Sequence, residues 1–236
     1  MKGLFLQAVK ETWYDIAGIH IQEPVTVLTN MLIVATSVFL YYKVGVKNTE
    51  KSLLVKYWRL FFFFFGLNAL IGSVAHGFKS YFSPDIFYYV WLCMNLASVP
   101  ITYYLLRANI ELSKFTTRNK KISEIIVLCL SIVFAVLTAI TNNFAIVKIN
   151  ALIAILITIV SHYRAYRDRR PGSGYITFGF TFSILALVVH GAKLSLSDWF
   201  NFKDISHVIM NITLCIIYAG VLLELRFLEE AQTEKV

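Results

Sequence analysis

Long apolar runs separated by short polar segments dominate this chain. Seven runs are recognisable, at residues 25–43, 57–78, 86–107, 122–141, 144–162, 174–194 and 204–226. Each is close to the roughly 20 residues that a helix needs to cross the hydrocarbon core of a bilayer. Because lipid offers the backbone no hydrogen-bond partners, a run of this length is expected to be helical. The pattern predicts an all-α polytopic membrane protein built as a bundle of seven transmembrane helices.

The first 22 residues have a different pattern. The positions that recur there at roughly helical spacing are Phe5, Val9, Trp13, Ile16 and His20. Charged residues lie between them, which predicts a short amphipathic helix in the membrane interface. Glu23-Pro24 then opens the first span, since proline suits a first helical turn. We therefore divide the chain into an interfacial helix (1–22), a seven-helix domain (23–228) and a cytoplasmic tail (229–236).

Composition supports a membrane location. Hydrophobic residues make up 58% of the chain and charged residues 15%, whereas a soluble domain has about 25% charged residues. The net charge of +8 could indicate nucleic-acid binding, but the basic residues are scattered over several loops. They are better interpreted as determinants of membrane topology. Lipids are therefore expected as partners, and nucleic acid is not.

The basic residues also predict an orientation. Fourteen of the 22 lie around the first, third and fifth loops, namely Lys43, Lys47, Lys51, Lys56, Arg59, Arg107, Lys114, Arg118, Lys120, Lys121, Arg164, Arg167, Arg169 and Arg170. The positive-inside rule places these loops and the C-terminus in the cytoplasm and the N-terminus outside. The modest loops fit a bacterial inner membrane.

This topology brings seven acidic and histidine residues at or near the span ends to the outer side. They are Glu23, His76, Asp85, His190, Asp198, Asp204 and His207. His162 alone among the histidines is directed inward, among arginines, and we interpret it as a solvated loop residue.

A short repeat suggests one possible function. His76-Gly77-Phe78-Lys79 and His190-Gly191-Ala192-Lys193 are 114 residues apart, and Asn95 and Asn211 in the following spans are 116 apart. Spans 2–3 would then correspond to spans 6–7, in a three-plus-one-plus-three arrangement. Parallel repeats of this kind occur in transporters. A small-solute transporter with Asn95 and Asn211 as paired contacts is therefore one hypothesis.

Polar residues at the start of the first span offer a second indication. Glu23 lies at the membrane edge and Asn30 lies one to two turns further in, where polar groups are costly and often functional. The alternatives are a carboxylate favoured by the helix dipole and an asparagine that bonds to a neighbouring helix.

Two further clusters contain histidine. Ser73 and His76 share one helical turn, and Asp85 opens the next span; in a tight hairpin the aspartate could orient the imidazole for metal binding or general base catalysis. His207 and Asn211 are four residues apart and share a helix face. A His-x-x-x-Asn pair is a poor zinc motif, because asparagine is a weak neutral ligand.

In order and spacing, these segments resemble the CREST membrane hydrolases, the superfamily of alkaline ceramidases and of adiponectin and progestin receptors. Glu23 through Asn30 is similar to the ceramidase motif Glu-Pro-x-Asn-Thr-x-Ser-Asn. The segment from Gly72 to His76 resembles their Gly-Ser…His motif, with one residue fewer between serine and histidine. The third-span aspartate of the family would be Asp85. Where the family has His-x-x-x-His in its seventh span, this chain has His207 and Asn211.

The resemblance implies a zinc-dependent hydrolase that cleaves an amide or ester in a lipid. His76 and His207 would bind zinc, with Asp85 and Ser73 handling the bound water and the oxyanion. We hypothesise that His190 replaces the histidine missing at Asn211, which would leave an open position for water. A receptor-like or accessory protein with a degenerate, non-catalytic site is the remaining alternative.

Overall fold

The computed structural model describes residues 12–46 and 52–233, and its first element is a β-hairpin. Strand β1 (Trp13–Ile16) pairs antiparallel with strand β2 (Ile19–Gln22), with Asp15 opposite His20. Ala17 and Gly18 connect the strands, both with positive φ, 50° and 81°. Two such residues in succession form a turn whose twist matches that of a hairpin.

The amphipathic helix predicted over 1–22 is therefore wrong from residue 13 onward, and its first 11 residues lie outside the described part of the chain. The spacing of Trp13, Ile16 and His20 resembled a helical period. However, Tyr14, Ile16, Ile19 and Ile21 also alternate as strand residues do, and the turn at Ala17-Gly18 decides between the two patterns.

Each of the seven predicted apolar runs forms a helix. The helices are α1 (Pro24–Val46), α2 (Leu53–Gly77), α3 (Pro84–Leu112), α4 (Thr117–Thr141), α5 (Phe144–Arg167), α6 (Ser173–Ala192) and α7 (Phe202–Thr233). All seven are long and apolar enough to cross a membrane. Helix α7 continues to Thr233, so most of the predicted tail is helical.

Local capping explains several helix starts. Ser83, Thr116 and Asn143 precede α3, α4 and α5, and each side chain accepts a hydrogen bond from a backbone N–H of the first turn. Such caps satisfy amide groups that have no partner within the helix. Pro84 occupies the first turn of α3, as Pro24 does in α1, where its missing N–H costs no hydrogen bond.

The helices pack as a ring with one peripheral member. Helix α1 lies between α2 and α7, and the ring continues through α3, α5 and α6. Helix α4 lies outside it, mainly against α3, with only Val127, Phe134 and Thr138 buried. Long apolar side chains such as Ile125 and Ile140 are exposed on α4. An exposed apolar face of this extent is expected where lipid is the solvent.

His162 differs from its prediction. Its side chain is 1% exposed, inside the bundle near the end of α5, and not in a solvated loop. Nδ1 lies 3.3 Å from the Ser173 hydroxyl, which donates a hydrogen bond to the buried Glu224 carboxylate. The run of arginines after residue 163 suggested a loop, but α5 extends to Arg167 and carries His162 along its inner face.

Candidate functional site

The predicted outer-side residues gather at one end of the bundle. The starts of α1 and α7 meet the end of α2 there, next to the end of α6. Because successive helices alternate in direction, the starts of the odd-numbered helices and the ends of the even-numbered helices lie at the same end of the bundle. The co-location of Glu23, His76, His190, Asp204 and His207 is thus confirmed.

Glu23 is positioned by an unusual backbone conformation. Its φ is +44°, in the left-handed region that non-glycine residues rarely adopt. Its N–H donates to Thr12 O at 2.8 Å, which closes the hairpin, and its carbonyl accepts from Val27 N at 3.0 Å, which starts α1. A residue held in a costly conformation by its surroundings is a sign of a functional constraint.

The Glu23 carboxylate bridges His76 and Lys203. Oε2 lies 2.6 Å from Nδ1 of His76, and Oε1 accepts a short hydrogen bond from the Lys203 ammonium. The Glu23 side chain is 15% exposed. Burial raises the pKa of Glu23, but His76 and Lys203 outweigh it and lower this pKa to about 2. Glu23 is therefore a carboxylate at neutral pH.

A small pocket opens beside this cluster. Its volume is about 290 Å³, and its lining consists of Gln22, Glu23, Ala75, His76, Lys79, Phe87, Trp91 and Lys203. The ring of Trp91 meets that of His76 edge-on, with 5.8 Å between centroids. The pocket therefore combines a carboxylate–histidine pair and two lysines with an aromatic wall.

Helices α1 and α7 form a second polar layer deeper in the bundle. Thr26 donates to Oδ1 of Asp204 at 2.7 Å, and the backbone N–H of Asn201 donates to Oδ2 at 2.8 Å. Asp204 is fully buried. The hydrogen bonds from Thr26 and Asn201 satisfy both of its carboxylate oxygens. One turn further in, the Thr29 hydroxyl lies 3.0 Å from Nδ1 of His207.

These hydrogen bonds define the tautomers of two rings. Nδ1–H of His76 donates to Glu23, which leaves Nε2 as the nitrogen with a lone pair. Thr29 donates its single hydroxyl proton to Thr26 O at 3.1 Å, so its oxygen accepts from Nδ1–H of His207. A histidine held in this way presents Nε2 as a base or as a ligand.

His190 and Asn211 have no such partners. Nδ1 of His190 is buried and unbonded, and its ring packs between Phe144 and Phe202, at 5.3 and 5.0 Å between centroids. Oδ1 of Asn211 is also buried without a hydrogen bond. Within residues 12–46 and 52–233, no three His, Cys, Asp or Glu side chains are grouped so as to hold a metal ion. Zinc binding by His76, His190 and His207 stays a prediction.

The other predicted residues lie near this end but outside the pocket lining. Ser73 donates to Val27 O at 3.3 Å, which joins α2 to α1. Asn30 donates to Thr26 O of its own helix at 3.1 Å, and not to a neighbouring helix. Asp85 is exposed in the first turn of α3. The carboxylate that orients His76 is thus Glu23, not Asp85.

The paired asparagines of the transporter hypothesis have separate surroundings. Asn95 is 1% exposed and donates to Oδ1 of Asn142, the residue that follows α4. The two His-Gly-x-Lys segments also differ. A Cβ on Gly77 would lie 2.7 Å from Val27 of α1, whereas a Cβ on Gly191 would meet no atom within 4 Å.

Several contributors to the site were not predicted from the sequence. Lys203, Thr26, Thr29 and Trp91 were not singled out. Thr26 and Thr29 could have been found, because they are three residues apart and therefore share a helix face. No signal in the sequence indicated Lys203, whose partner is 180 residues away.

The fold and the site together describe a bundle of seven apolar helices, as in multi-pass membrane proteins, with a polar pocket at one end. The model of a family of unknown function (DUF6962) matches residues 25–225, and the chain belongs to this family. The matched region contains His76, His190, Asp204 and His207. No curated protein and no solved structure matches the chain.

Proposed function

We propose that this protein is a multi-pass membrane hydrolase that cleaves an ester or amide of a lipid in the pocket beside His76. The observation that carries the proposal is the 2.6 Å contact between the Glu23 carboxylate and Nδ1 of His76. A carboxylate in this position orients an imidazole and stabilises it when it takes up a proton. The proposed topology places the N-terminus outside and the C-terminus in the cytoplasm of a bacterial inner membrane.

The pocket residues would have different roles in such a reaction. Nε2 of His76 takes a proton from a water molecule, whose oxygen attacks the carbonyl carbon of the substrate. The lysines of the pocket, Lys79 and Lys203, supply positive charge for the oxyanion. When the C–O or C–N bond breaks, protonated His76 returns the proton to the leaving group. Phe87 and Trp91 provide an apolar surface for the acyl chain.

Lipid substrates are favoured by the position of the pocket. It lies where the starts of α1, α3 and α7 meet the end of α2, that is, at the level where a bundle of this kind meets the lipid head groups. A lipid could enter with its polar part beside Glu23 and its chain along the aromatic wall. Glu23 remains a carboxylate at neutral pH because its pKa is lowered to about 2.

A non-catalytic binding pocket is the second candidate, and one observation favours it. Both oxygens of Glu23 are already bonded, to His76 and to Lys203, and Ser73 is bonded to a backbone carbonyl. Polar groups satisfied within the protein can stabilise a binding site without taking part in a reaction. A receptor-like or accessory role would use the same pocket to hold a lipid intact.

The deciding experiment measures hydrolysis by purified protein in nanodiscs. An N-acyl amine and a fatty-acyl ester with fluorogenic leaving groups serve as probes, and wild type is compared with His76→Gln. We expect His76→Gln to lose at least about 100-fold in rate, as expected when a general base is removed. His20→Gln is the matched control, because His20 pairs with Asp15 on the exposed hairpin at the same end.

Each outcome assigns a role. Hydrolysis that depends on His76 but not on His20 supports the hydrolase, whereas probe binding without turnover supports the binding pocket. Elemental analysis of the same samples tests the zinc prediction. If wild type contains one equivalent of zinc and the variants His76→Gln and His207→Gln lose it, a metal ion activates the water. If the protein is active without metal, His76 is the base.

A further inference from the structure

A second cavity lies at the opposite end of the bundle. Its volume is about 420 Å³, and it is bordered by the end of α3, the start of α4 and the end of α5. The groove exists because α4 packs mainly on α3 and only lightly on α5. None of its lining residues belongs to the His76 pocket.

The rim of this groove is cationic. Lys114, Arg164 and Arg170 line it together with one acidic residue, Asp168. Lys114 Nζ lies 2.7 Å from the Asp168 carboxylate and lowers the pKa of Asp168. Arg170 Nη1 is 4.0 Å from the buried Glu224. Arg164 forms no side-chain hydrogen bond or ion pair within the described part of the chain, so its guanidinium is available to an anion.

The interior of the groove is apolar. Leu106 and Ile110 of α3, Ile126 and Val127 of α4 and Ile157 of α5 form its walls. Ile126 is 60% exposed. An apolar channel below a ring of guanidinium and ammonium groups suits an amphiphile with an anionic head, since a soluble anion would leave the apolar walls uncovered.

One buried polar atom beside the groove has no partner. Asn109 is 6% exposed and donates to the Thr158 hydroxyl at 2.7 Å, but its Oδ1 is buried and accepts no hydrogen bond. An unsatisfied buried acceptor is costly. Asn109 lies one turn from Ser113, just below the cationic rim. Because this Oδ1 is closed to solvent, a ligand in the groove does not reach it.

We propose that the groove between α3, α4 and α5 binds one anionic phospholipid. Its phosphate contacts Arg164 and lies near Lys114 and Arg170 of the same rim, and an acyl chain lies along the walls of α3 and α4. Guanidinium groups suit this role, because they bind phosphate through two parallel hydrogen bonds. This inference shares only the membrane location with the proposed function.

The experiment measures lipid retention by native mass spectrometry of the full chain. Protein is reconstituted with equimolar phosphatidylglycerol and phosphatidylcholine, and the lipid that stays bound is counted. Each basic side chain near an anionic lipid contributes on the order of fivefold in binding. The double variant Lys114→Gln/Arg164→Gln is therefore expected to weaken phosphatidylglycerol retention about 25-fold. Both residues are exposed, so the change is expected to leave the fold intact.

The control variant is Lys121→Gln/Arg167→Gln, which removes the same charge from exposed positions outside the groove lining. Retention of phosphatidylglycerol by wild type and control, and its loss in the groove variant, would support the site. Equal retention of the two lipids, or equal loss in both variants, would overturn it. Glycerol phosphate at millimolar concentration serves as the soluble competitor; if it displaces the lipid, the site is one for free phosphate esters and the proposal is wrong.

Discussion

Glu23, the last residue before α1, holds the ring of His76 at the end of α2 through a 2.6 Å contact between Oε2 and Nδ1. The same carboxylate binds Lys203 at the start of α7. One side chain thus joins the β-hairpin and three helices at the mouth of the pocket. The candidate site and the packing of this end are therefore expected to depend on each other.

Replacement of Glu23 by glutamine tests this dependence. Because the pKa of Glu23 falls from 4.5 to about 2 in the folded protein, its carboxylate stabilises the fold above pH 4.5. That contribution is lost as the pH falls towards 2. The shift corresponds to at most about 3 kcal/mol. Glu23→Gln is expected to lower stability at neutral pH and to flatten its dependence between pH 4.5 and 2, as measured by thermal unfolding in detergent.

The control for this change is Asp85→Asn, which removes an exposed carboxylate at the same end of the bundle. It should leave the unfolding curve close to that of wild type. A Glu23→Gln protein that retains the wild-type pH dependence would show that the Glu23–His76–Lys203 cluster does not stabilise the fold.

The two histidine–glycine pairs provide a test of packing. A methyl group at Gly77 would lie 2.7 Å from Val27 and push α1 and α2 apart, so Gly77→Ala is expected to cost about 1–3 kcal/mol. Gly191→Ala enters open space and is expected to be neutral or slightly stabilising, since alanine favours helix. Unfolding temperatures of the two variants measure the difference, and equal effects would contradict the close contact of α1 and α2.

The Thr26–Asp204 hydrogen bond is expected to be important for stability. Thr26→Val keeps the side-chain shape but leaves one oxygen of the fully buried Asp204 without its donor, at a cost of about 1–3 kcal/mol. Thr181→Val is the matched control, because the exposed Thr181 bonds only to a carbonyl of its own helix. If both variants unfold at the wild-type temperature, the bond contributes nothing to the fold.

The proposed orientation can be measured by cysteine labelling. In a background without Cys93, Cys129 and Cys215, single cysteines are introduced at the exposed residues Tyr81 and Phe115. These residues lie in the α2–α3 and α3–α4 connections. A membrane-impermeant maleimide should label Tyr81→Cys in intact cells and Phe115→Cys only after permeabilisation. The reverse pattern would place the N-terminus in the cytoplasm.

The helices were predictable because their signal is local. Continuous apolar runs identified all seven, and Pro24 marked the start of α1. The charged ends of the helices were harder to predict. Helix α3 extends five residues past its predicted end, to Leu112, and α5 extends five residues past its own, to Arg167. Side chains such as Arg107 remain compatible with helix because Tyr57, Tyr103 and Glu124 bind the guanidinium.

The site was predictable only in part. The alternation of helix direction placed Glu23, His76 and His207 at one end, and this is confirmed. Which carboxylate would meet His76 was not predictable, and the expected partner Asp85 lies exposed at the start of α3. Tight hairpins make neighbours of successive helices, but the contact that forms depends on how each helix is rotated about its axis.

By itself, the sequence determined the number of helices, their approximate ends and which polar groups share one end of the bundle. These properties depend on residues close together in the chain and on the cost of placing polar groups in lipid. Only the tertiary structure decided that α1 lies between α2 and α7. That position brings Glu23 to His76 and Lys203, and Thr26 to Asp204. Contacts between residues about 180 positions apart arise from packing of the whole bundle, which no local pattern encodes.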